Sequence, residues 1–346
     1  MTKIPQTMKA AFLTGRMQIE VREIPTPAIP RGGALLKVEA CGLCGSDINR
    51  IKFTESDEQR VIGHEVAGVV VATDDDSSPF VPGDKIAVAH VHIPCGYCYY
   101  CRHGSPAMCR QFKKTRIIPG GYSEYIALSP DHLAHTCIRI PEGVSFAEAT
   151  FLDPAGCCLR GLGQIKAKPF DHIAVVGAGV MGQLFVKFLK DLGAYSYLFD
   201  ISDERLEIAK GFGANYTFNS RDTSVFKNLL ELTEGRGVDA FILTFVTQEL
   251  LDAAMEYSRD GGRICVFAPP IRELNLKMNY FDFFRREMQM MGSYSSNFDE
   301  IELTMQYIQS GRVDVKSMIT QTTNLEGMLD AVRNLDDKQL KVIVKP

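Results

Sequence analysis

Four cysteines lie close together in the chain with a spacing that is typical of metal sites. Cys95, Cys98, Cys101 and Cys109 form the pattern C-x2-C-x2-C-x7-C. Four thiolates fill the tetrahedral shell of Zn2+ and leave no open position, so we expect a structural zinc that fixes the polar loop 93–111. An iron–sulfur cluster also uses four thiolates, but the long gap before Cys109 favours zinc. Free thiols at such short spacing would oxidise readily, which argues against four unliganded cysteines.

A second set of possible ligands is spread along the chain. Cys44 lies in the segment CGLCGSD, His64 lies in GHE, and Asp153 directly precedes Pro154. One thiolate, one imidazole and one carboxylate are three protein ligands, the number with which a catalytic zinc keeps a fourth position for water or substrate. Each residue alone is ordinary, because a single Cys or His usually belongs to the core and Asp-Pro is common in turns. The interpretation therefore depends on the rest of the sequence.

A glycine-rich segment predicts a turn that binds a dinucleotide. Gly177, Gly179 and Gly182 form the pattern G-x-G-x-x-G between a predicted strand, His172–Val176, and a predicted helix, Val180–Leu192. The first glycine allows the tight turn, the second lets the backbone approach the pyrophosphate, and the third lets helix and strand pack closely. A strand before and a helix after make this pattern specific. We expect the cofactor to contact the whole turn: Gly177, Gly179, Val180, Met181 and Gly182.

An acidic residue ends the next predicted strand. Asp200 follows Gly182 by 18 residues, where a carboxylate can accept hydrogen bonds from both ribose hydroxyls of NAD. The same charge would repel the 2′-phosphate of NADP, so the sequence predicts NAD. Arg205 lies five residues further on and either flanks the adenine or is a charge on a helix surface.

The elements that must position these residues are of two kinds. Up to about residue 150, short apolar and β-branched runs alternate with Pro/Gly groups, which predicts a small barrel or sandwich. After Pro154, strands alternate with helices, which predicts a parallel sheet covered by helices on both faces. After about Gly292 the alternation stops, and a helix near 299–309 and a strand at 341–345 are expected to rejoin the first domain. The predicted strands of the first part are 8–13, 18–23, 34–40, 66–71 and 85–89.

Composition and charge exclude several classes of protein. Of the 346 residues, 45% are hydrophobic and 23% charged, as in ordinary globular proteins. The apolar runs are far shorter than the ~20 residues of a membrane span, and the polar N-terminal segment leads us to expect no secretory signal. A net charge of −4 argues against a nucleic-acid partner. We therefore expect a cytoplasmic protein with reduced thiols, in which some cysteines are ordinary core residues: Cys137, Cys157, Cys158 and Cys265.

Taken together, the motifs resemble the zinc-containing medium-chain dehydrogenase/reductase family. CGLCGSD, GHE, the four-cysteine lobe, the segment GGYSE at 120–124 and the glycine-rich turn occur in the order and spacing of that family, over essentially the whole chain. The acidic-Pro pair at 153–154 is similar to the polyol (sorbitol-like) and threonine dehydrogenase branches. The resemblance implies an α/β chain with a GroES-like catalytic domain at 1–153, a Rossmann domain with a doubly wound parallel sheet at 154–292, and a return to the catalytic domain at 293–346.

The resemblance also implies roles for individual residues. Cys44 and His64 would bind the catalytic zinc, and Asp153 would occupy the third-ligand position. Glu65 would be either an exchangeable ligand or a carboxylate that contacts the ligands without binding the metal. Ser46 would accept the substrate proton. Together with the four-cysteine site, the resemblance implies two zinc ions per subunit and NAD as the cofactor. It also implies a homotetramer or a homodimer. The substrate pocket would include Phe53, Arg116 and Phe151.

Two residues depart from the family pattern. Asp153 is one methylene shorter than the usual Glu, which predicts that it binds zinc only through a water molecule, with direct binding left open as the alternative. Asn49 replaces a His that ends the proton relay in many relatives, and an amide cannot take up a proton near neutral pH. The relay would then end on water or on the cofactor ribose. Cys41 is expected to be a core residue.

The predicted activity is transfer of hydride from a secondary alcohol of a polyol, cyclitol or sugar-derived substrate to NAD+. An L-threonine 3-dehydrogenase-like activity, or that of another alcohol dehydrogenase, is the alternative. A zinc-free quinone reductase would lack the zinc motifs. The non-enzyme alternatives are a zinc-binding regulatory protein and a structural protein built on an inactive dehydrogenase. The glycine-rich turn and the otherwise complete set of chemical residues argue against both.

Overall fold

The chain forms two compact units. The computed structural model describes residues 4–54, 59–89, 92–268 and 277–346. Unit 1 comprises Met1–Gly156 and Ser296–Pro346, and unit 2 comprises Cys157–Ser295. The boundaries expected from the sequence followed residues 153 and 292. Within the described ranges, no helix is long and apolar enough to cross a membrane.

The first part of the chain is dominated by strands. Its strands are β1 (Thr7–Gly15), β2 (Gln18–Pro25), β3 (Ala34–Gly42), β4 (Arg60–Val61), β5 (Glu65–Thr73), β6 (Lys85–Val88), β7 (Tyr125–Leu128) and β8 (Cys137–Arg139). Its helices are α1 (Gly45–Phe53), α2 (Tyr99–Arg102), α3 (Pro130–His135), α4 (Phe146–Ala149) and α5 (Leu152–Gln164). Short 3-10 turns lie at Pro106–Met108 and Phe112–Lys114. The predicted strands therefore exist, most of them longer by one or two residues at either end.

The middle of the chain alternates strands and helices. In chain order it contains β9 (His172–Val176), α6 (Val180–Leu192), β10 (Tyr195–Asp200), α7 (Asp203–Phe212), β11 (Tyr216–Asn219), a 3-10 turn (Thr223–Lys227), α8 (Asn228–Leu232), β12 (Val238–Leu243), α9 (Gln248–Tyr257), β13 (Ser258–Val266), α10 (Tyr280–Arg285) and β14 (Gln289–Gly292). The last part contains α11 (Phe298–Gln309), a 3-10 turn (Lys316–Met318), β15 (Ile319–Asn324), α12 (Met328–Arg333) and β16 (Lys341–Lys345).

The described residues of unit 1 form two sheets. One has the order β2-β1-β4, and the other has the order β15-β16-β3-β5-β6-β8, with β7 also paired to β3. In the larger sheet, Gly42 of β3 pairs with Glu65 of β5 on one side and with Ile343 of β16 on the other. The last strand of the chain therefore lies next to the end of β3, which is where the predicted ligand segment CGLCGSD begins.

Unit 2 contains a parallel sheet with the order β11-β10-β9-β12-β13-β14. The order reverses between β10 and β12, on either side of β9, and ligands bind at such a switch point in doubly wound folds. The apolar faces of β9, β10 and β12 form the core, as expected for strands covered on both sides. The observed bounds of β9 and α6 are those predicted, β10 ends at Asp200 as expected, and Ser202 caps α7 by accepting from the Arg205 N–H.

Two predicted segments differ from the structure. The apolar run at 263–267 predicts a short strand, but β13 begins earlier, at Ser258, because the glycine-rich residues 259–262 bulge against β12 instead of ending the strand. The lobe 93–111 was predicted as a loop, but it contains α2 and a 3-10 turn. It also has a small core of its own, in which Ala107, Cys109 and Phe112 pack with the other three cysteines.

Candidate active site and metal centres

Three different ligand atoms meet at the end of β3 and the start of β5. The donor atoms of Cys44, His64 and Glu65 all lie within 4.8 Å of one another. Cys44 is the residue before α1, and Glu65 opens β5, so the pairing of β3 with β5 brings the segments together. Tetrahedral zinc with bonds of about 2.0–2.3 Å holds its ligand atoms about 3.3–3.8 Å apart. The group therefore fits a zinc ion with small shifts.

The imidazole of His64 lies between two carboxylates. Its Nδ1 is 3.6 Å from Oδ1 of Asp47, and its Nε2 is 3.8 Å from Oδ2 of Asp153. An acceptor beside Nδ1 leaves Nε2 with a free lone pair for a metal ion. Asp153 lies next to the three-atom group but is not one of its members. This geometry offers two carboxylates, Glu65 and Asp153, for the same cation.

Asp47 was not singled out by the sequence analysis, although it lies in CGLCGSD. It is buried, and its Oδ2 accepts a hydrogen bond of 2.8 Å from the hydroxyl of Tyr122, whose ring is fully buried. Burial by itself would raise the pKa of Asp47, but His64 and the Tyr122 hydroxyl together hold that pKa below its usual value. Asp47 is therefore an anion that is fixed in place beside His64.

The pKa of His64 reflects the negative charge around it. Burial would lower this pKa, but Asp47 and Cys44 raise it well above the usual value. In the absence of a cation, the surroundings favour a positive charge on the imidazole. The same negative groups would also attract a metal ion. A metal ion binds the neutral ring, so it would take the place of the proton on the imidazole.

Glu65 forms a buried ion pair that the sequence did not indicate. Its Oε2 contacts Nζ of Lys341 in β16, and both side chains are almost completely buried. Burial raises the pKa of Glu65 against the attraction of Lys341; burial would lower the pKa of Lys341, but Glu65 and Cys44 raise it. The other carboxylate oxygen, Oε1, has no hydrogen-bond partner among the described residues, which leaves it available to a cation.

Gly42 leaves room for this ion pair. A Cβ atom at Gly42 would lie 2.1 Å from Oε2 of Glu65 and 3.0 Å from Cε of Lys341. Contacts this short do not occur, so any larger residue would displace the carboxylate. Because Gly42 is the point where β3 pairs with both β5 and β16, its lack of a side chain lets the two charged groups meet.

The remaining predicted residues of unit 1 lie in different surroundings. Ser46 and Asn49 are exposed and three residues apart on α1, so they share a face of that helix. Phe53, at the end of the same helix, is 54% exposed, and Arg116 is exposed. The ring of Phe151 is fully buried and packs against Lys341, whose Nζ is 5.6 Å from the ring centre. Its place in the substrate pocket stays a prediction.

The four cysteines of the lobe form a closed group. The Sγ atom of Cys101 is 3.9 Å from that of Cys95 and 3.5 Å from that of Cys98. A disulfide would need about 2.05 Å, whereas two thiolates on one zinc ion are about 3.8 Å apart. Backbone N–H groups also point at sulfur: that of Cys98 donates to Cys95 Sγ and that of Cys95 to Cys109 Sγ. These four donors fit a structural zinc.

The thiols of this lobe differ in pKa. Burial raises the pKa of Cys101 to about 12, and the neighbouring Cys98 adds to the shift. Burial would also raise the pKa of Cys109, but backbone N–H groups of residues 95, 111 and 112 lower it to about 6. Of Cys101 and Cys109, Cys109 therefore forms a thiolate more readily.

Cys41, which was expected to be a core residue, is completely buried, and burial raises the pKa of its thiol well above the usual value.

In unit 2, the glycine-rich turn lies between β9 and α6, at the carboxyl end of the parallel sheet. Gly177 has φ = 102°, in the left-handed region that favours glycine. A Cβ atom at Gly182 would lie 1.8 Å from the carbonyl oxygen of Gly177, so the helix can pack here only with glycine at that position. Gly179 precedes the first residue of α6, whose backbone N–H groups are available to a phosphate.

Asp200 lies at the end of β10 beside this turn. Its Oδ2 accepts a hydrogen bond of 2.6 Å from the Ala178 N–H, and its Oδ1 accepts one of 2.9 Å from the Ser202 N–H. Each carboxylate oxygen retains a second lone pair that can accept from a ribose hydroxyl. Arg205 lies in the first turn of α7, and its backbone N–H donates to the Ser202 hydroxyl.

Comparisons with known proteins agree with this architecture. The family model for the alcohol dehydrogenase GroES-like domain matches residues 30–142, and the model for the zinc-binding dehydrogenase domain matches residues 180–310. Sorbitol dehydrogenase of Bacillus subtilis is 30% identical over 99% of this chain and 98% of its own length.

Two solved structures are also similar over nearly the whole chain. A putative zinc-binding dehydrogenase from Sinorhizobium meliloti 1021, bound to NADP, has a TM-score of 0.88 and 26% identity, and covers 99% of this chain and 100% of its own. A protein described as a short-chain alcohol dehydrogenase from Escherichia coli CFT073, complexed with NADH, has a TM-score of 0.88 and 25% identity, with 99% and 100% coverage.

The GroES-like and zinc-binding dehydrogenase domains define an oxidoreductase of the zinc-binding alcohol dehydrogenase type. The chain belongs to the zinc-containing medium-chain dehydrogenase/reductase family, and the sorbitol dehydrogenase relative agrees with the polyol branch. The family and the fold class predicted from the sequence are thus confirmed.

Proposed function

We propose that the protein oxidises a secondary alcohol of a polyol, cyclitol or sugar-derived substrate and transfers the hydride to NAD+. The observation that carries the proposal is the group of Cys44, His64 and Glu65, whose three donor atoms lie within 4.8 Å of one another. Ser46 follows Cys44 by two residues, so a hydroxyl group is placed near an open metal site. Unit 2 supplies a dinucleotide turn with an acid at the end of the next strand.

Cys44 and His64 would hold the catalytic zinc, with Glu65 or Asp153 as the carboxylate ligand. Three protein ligands leave a fourth position for the alcohol, and zinc lowers the pKa of a bound hydroxyl toward about 7. Asp47 would orient His64 through Nδ1, and Lys341 would determine how far Oε2 of Glu65 can turn towards the cation. The four cysteines of the lobe would hold a second, structural zinc without an open position.

Ser46 would accept the proton of the alcohol. Its side chain is exposed near the first turn of α1, and Asn49 lies on the same face of the helix. Since an amide cannot take up a proton near neutral pH, Ser46 would pass the proton to water or to the cofactor ribose. Phe53, further along α1, and Arg116 would contact the substrate.

The preferred cofactor would be NAD, because the Asp200 carboxylate can accept from ribose hydroxyls and would repel a 2′-phosphate. The two solved relatives contain NADP in one case and NADH in the other, so the preference is tested on this chain directly. Initial rates with NAD+ and NADP+ at equal concentration should favour NAD+. Faster turnover with NADP+ would show that the role assigned to Asp200 is wrong.

The activity is tested by a screen for NADH production with zinc-loaded protein. Polyols, cyclitols and aldonates form one set of substrates, and threonine tests the alternative activity. Cys44→Ser should abolish turnover of whichever substrate is found, whereas Cys137→Ser, at a buried cysteine without ligand spacing, should not. Near-normal activity of Cys44→Ser would rule out a catalytic zinc at this group. NAD binding without turnover of any alcohol would favour a non-enzyme role.

The same proposal includes a cytoplasmic location and a homodimer or homotetramer. The ten cysteines, all of which lie in the described ranges, form no disulfide bonds there, which agrees with a reducing compartment. The partners would be small-molecule substrates and the cofactor, without nucleic acid or membrane.

A further inference from the structure

Gln183 is a buried polar residue in unit 2 that the proposed mechanism does not use. It follows Gly182, the last glycine of the turn, and is completely buried in α6. A side-chain amide in the interior of a protein is unfavourable unless it forms hydrogen bonds. The contacts of this amide therefore indicate why a polar group occupies a core position.

The amide nitrogen of Gln183 joins two parts of the cofactor region. Nε2 donates to the carbonyl oxygen of Ala178 at 3.0 Å and to that of Arg205 at 2.9 Å. Both partners can only accept, so the NH2 group must face them, with one hydrogen for each. Ala178 belongs to the glycine-rich turn, and Arg205 lies in the first turn of α7. The side chain therefore connects the turn to the helix that follows Asp200.

Asp200 and Ser202 close this network. Asp200 accepts from the backbone N–H groups of Ala178 and Ser202, and the Ser202 hydroxyl accepts from the Arg205 N–H at 3.3 Å. The hydrogen bonds therefore run from Gln183 through Ala178, Asp200, Ser202 and Arg205 back to Gln183. In a closed network, displacement of one member shifts the others. A change at Gln183 should therefore move both the phosphate-binding turn and the ribose-binding carboxylate.

We propose that Gln183 is a positioning residue for the adenosine half of the dinucleotide. It sets the separation between the glycine-rich turn and α7, so that the pyrophosphate and the ribose are bound at the same time. The proposal rests on the proposed binding of NAD. The Oε1 atom of Gln183 is buried and accepts no hydrogen bond within the described part of the chain. A half-satisfied amide is a poor way to stabilise a core, which agrees with a role in cofactor binding.

The test uses ADP-ribose, which has the adenosine and pyrophosphate of NAD but no nicotinamide. Gln183→Leu keeps a similar volume and removes both hydrogen bonds. The Kd of ADP-ribose and the KM for NAD+ should rise about tenfold, which corresponds to about 1.4 kcal/mol. The kcat at saturating NAD+ and the zinc content should stay unchanged, because neither depends on the network. Gln183→Met, which is unbranched and of similar length, repeats the measurement if the leucine variant does not fold.

Val186→Ala is the matched control. Val186 is also completely buried in α6 but does not belong to the network. The cavity left by the smaller alanine should lower stability without changing the Kd of ADP-ribose. An unchanged Kd in Gln183→Leu, or an equal weakening in both variants, overturns the proposal. If the unmodified enzyme binds neither NAD+ nor ADP-ribose, the proposed function itself fails. If it binds both and Gln183→Leu binds them equally well, only the positioning role fails.

Discussion

At the scale of residues, the environment of His64 is as important as its identity. Asp47 is a buried anion beside Nδ1, and Asp153 lies beside Nε2. A carboxylate that holds one ring nitrogen determines which tautomer faces a metal ion and increases the basicity of that nitrogen. His64 alone would be one of several partly buried histidines, and Asp47 beside Nδ1 gives it the orientation that the proposed zinc ligand needs.

We expect Asp47→Asn to weaken zinc binding at the open site about 10- to 100-fold, since the amide cannot stabilise the imidazole as a carboxylate does. Competition with a coloured zinc chelator measures the affinity. Asp330→Asn, which removes an exposed carboxylate from α12, is the control and should leave the affinity unchanged. Equal zinc affinity of the Asp47→Asn variant and the unmodified protein would contradict this role.

Ser46→Ala should lower kcat by about 10²-fold or more, the usual contribution of a positioned proton acceptor. The zinc content should not change, because Ser46 is not a proposed ligand. Asn49→Ala, on the same face of α1, should have a much smaller effect, since the amide takes up no proton. Steady-state rates combined with metal analysis separate these outcomes, and a normal kcat in Ser46→Ala would exclude it as the acceptor.

At the scale of elements, three strands assemble the buried ion pair. Glu65 opens β5, Lys341 opens β16, and β3 between them contributes Gly42, which has no side chain. The two charged groups can be buried only because the sheet brings opposite charges together. Removing one partner leaves the other charge buried and uncompensated.

Lys341→Met should therefore lower the free energy of unfolding by about 3–5 kcal/mol. The double variant Glu65→Gln/Lys341→Met should regain a large part of that loss, because it removes both charges. Urea unfolding of the two single variants and the double variant, after brief chelation has removed zinc from the open site, gives the coupling energy. Simple additivity of the two effects would show that the ion pair has no net coupling.

The cysteine lobe is expected to behave as a separate structural element. Cys98→Ser removes one of four thiolates and should release the structural zinc, so that the lobe loses its order and the Tm falls. The proposed ligands at Cys44 and His64 lie outside the lobe, so remaining folded protein should keep their zinc. Metal analysis should find one zinc ion fewer per chain, and an unchanged zinc content would show that the lobe does not need four thiolates.

Much of this site could be predicted because the residues themselves determine it. Cysteines at fixed spacing and glycines between a strand and a helix are local patterns, and they required no knowledge of the tertiary structure. Asp47 and Lys341 were missed because their roles arise from the burial and pairing of distant strands. The burial of Phe151 against Lys341 was missed for the same reason. Gln183 resembled an ordinary helix residue until its two carbonyl partners were known.

At the scale of the whole molecule, the described part of the chain offers two groups of possible metal ligands that differ in character. A site with three protein ligands exchanges its metal more easily than a closed site with four thiolates. Brief treatment with a chelator should remove the zinc of Cys44 and His64 first and abolish activity while one zinc ion per chain remains. Added zinc should restore activity. Loss of both ions in a single step would show that the two sites do not differ in this way.

The pairing of β16 with β3 also determines when the site can be completed during synthesis. The ribosome makes all of unit 2 before it reaches Ser296, so Cys157–Ser295 can fold while unit 1 still lacks β15 and β16. During that interval, Glu65 has no lysine partner, and the edge of β3 beside Gly42 and Cys41 is uncovered. Capture of zinc at Cys44 and His64 is therefore expected to follow translation of β16, which makes this site one of the last parts of the nascent protein to mature.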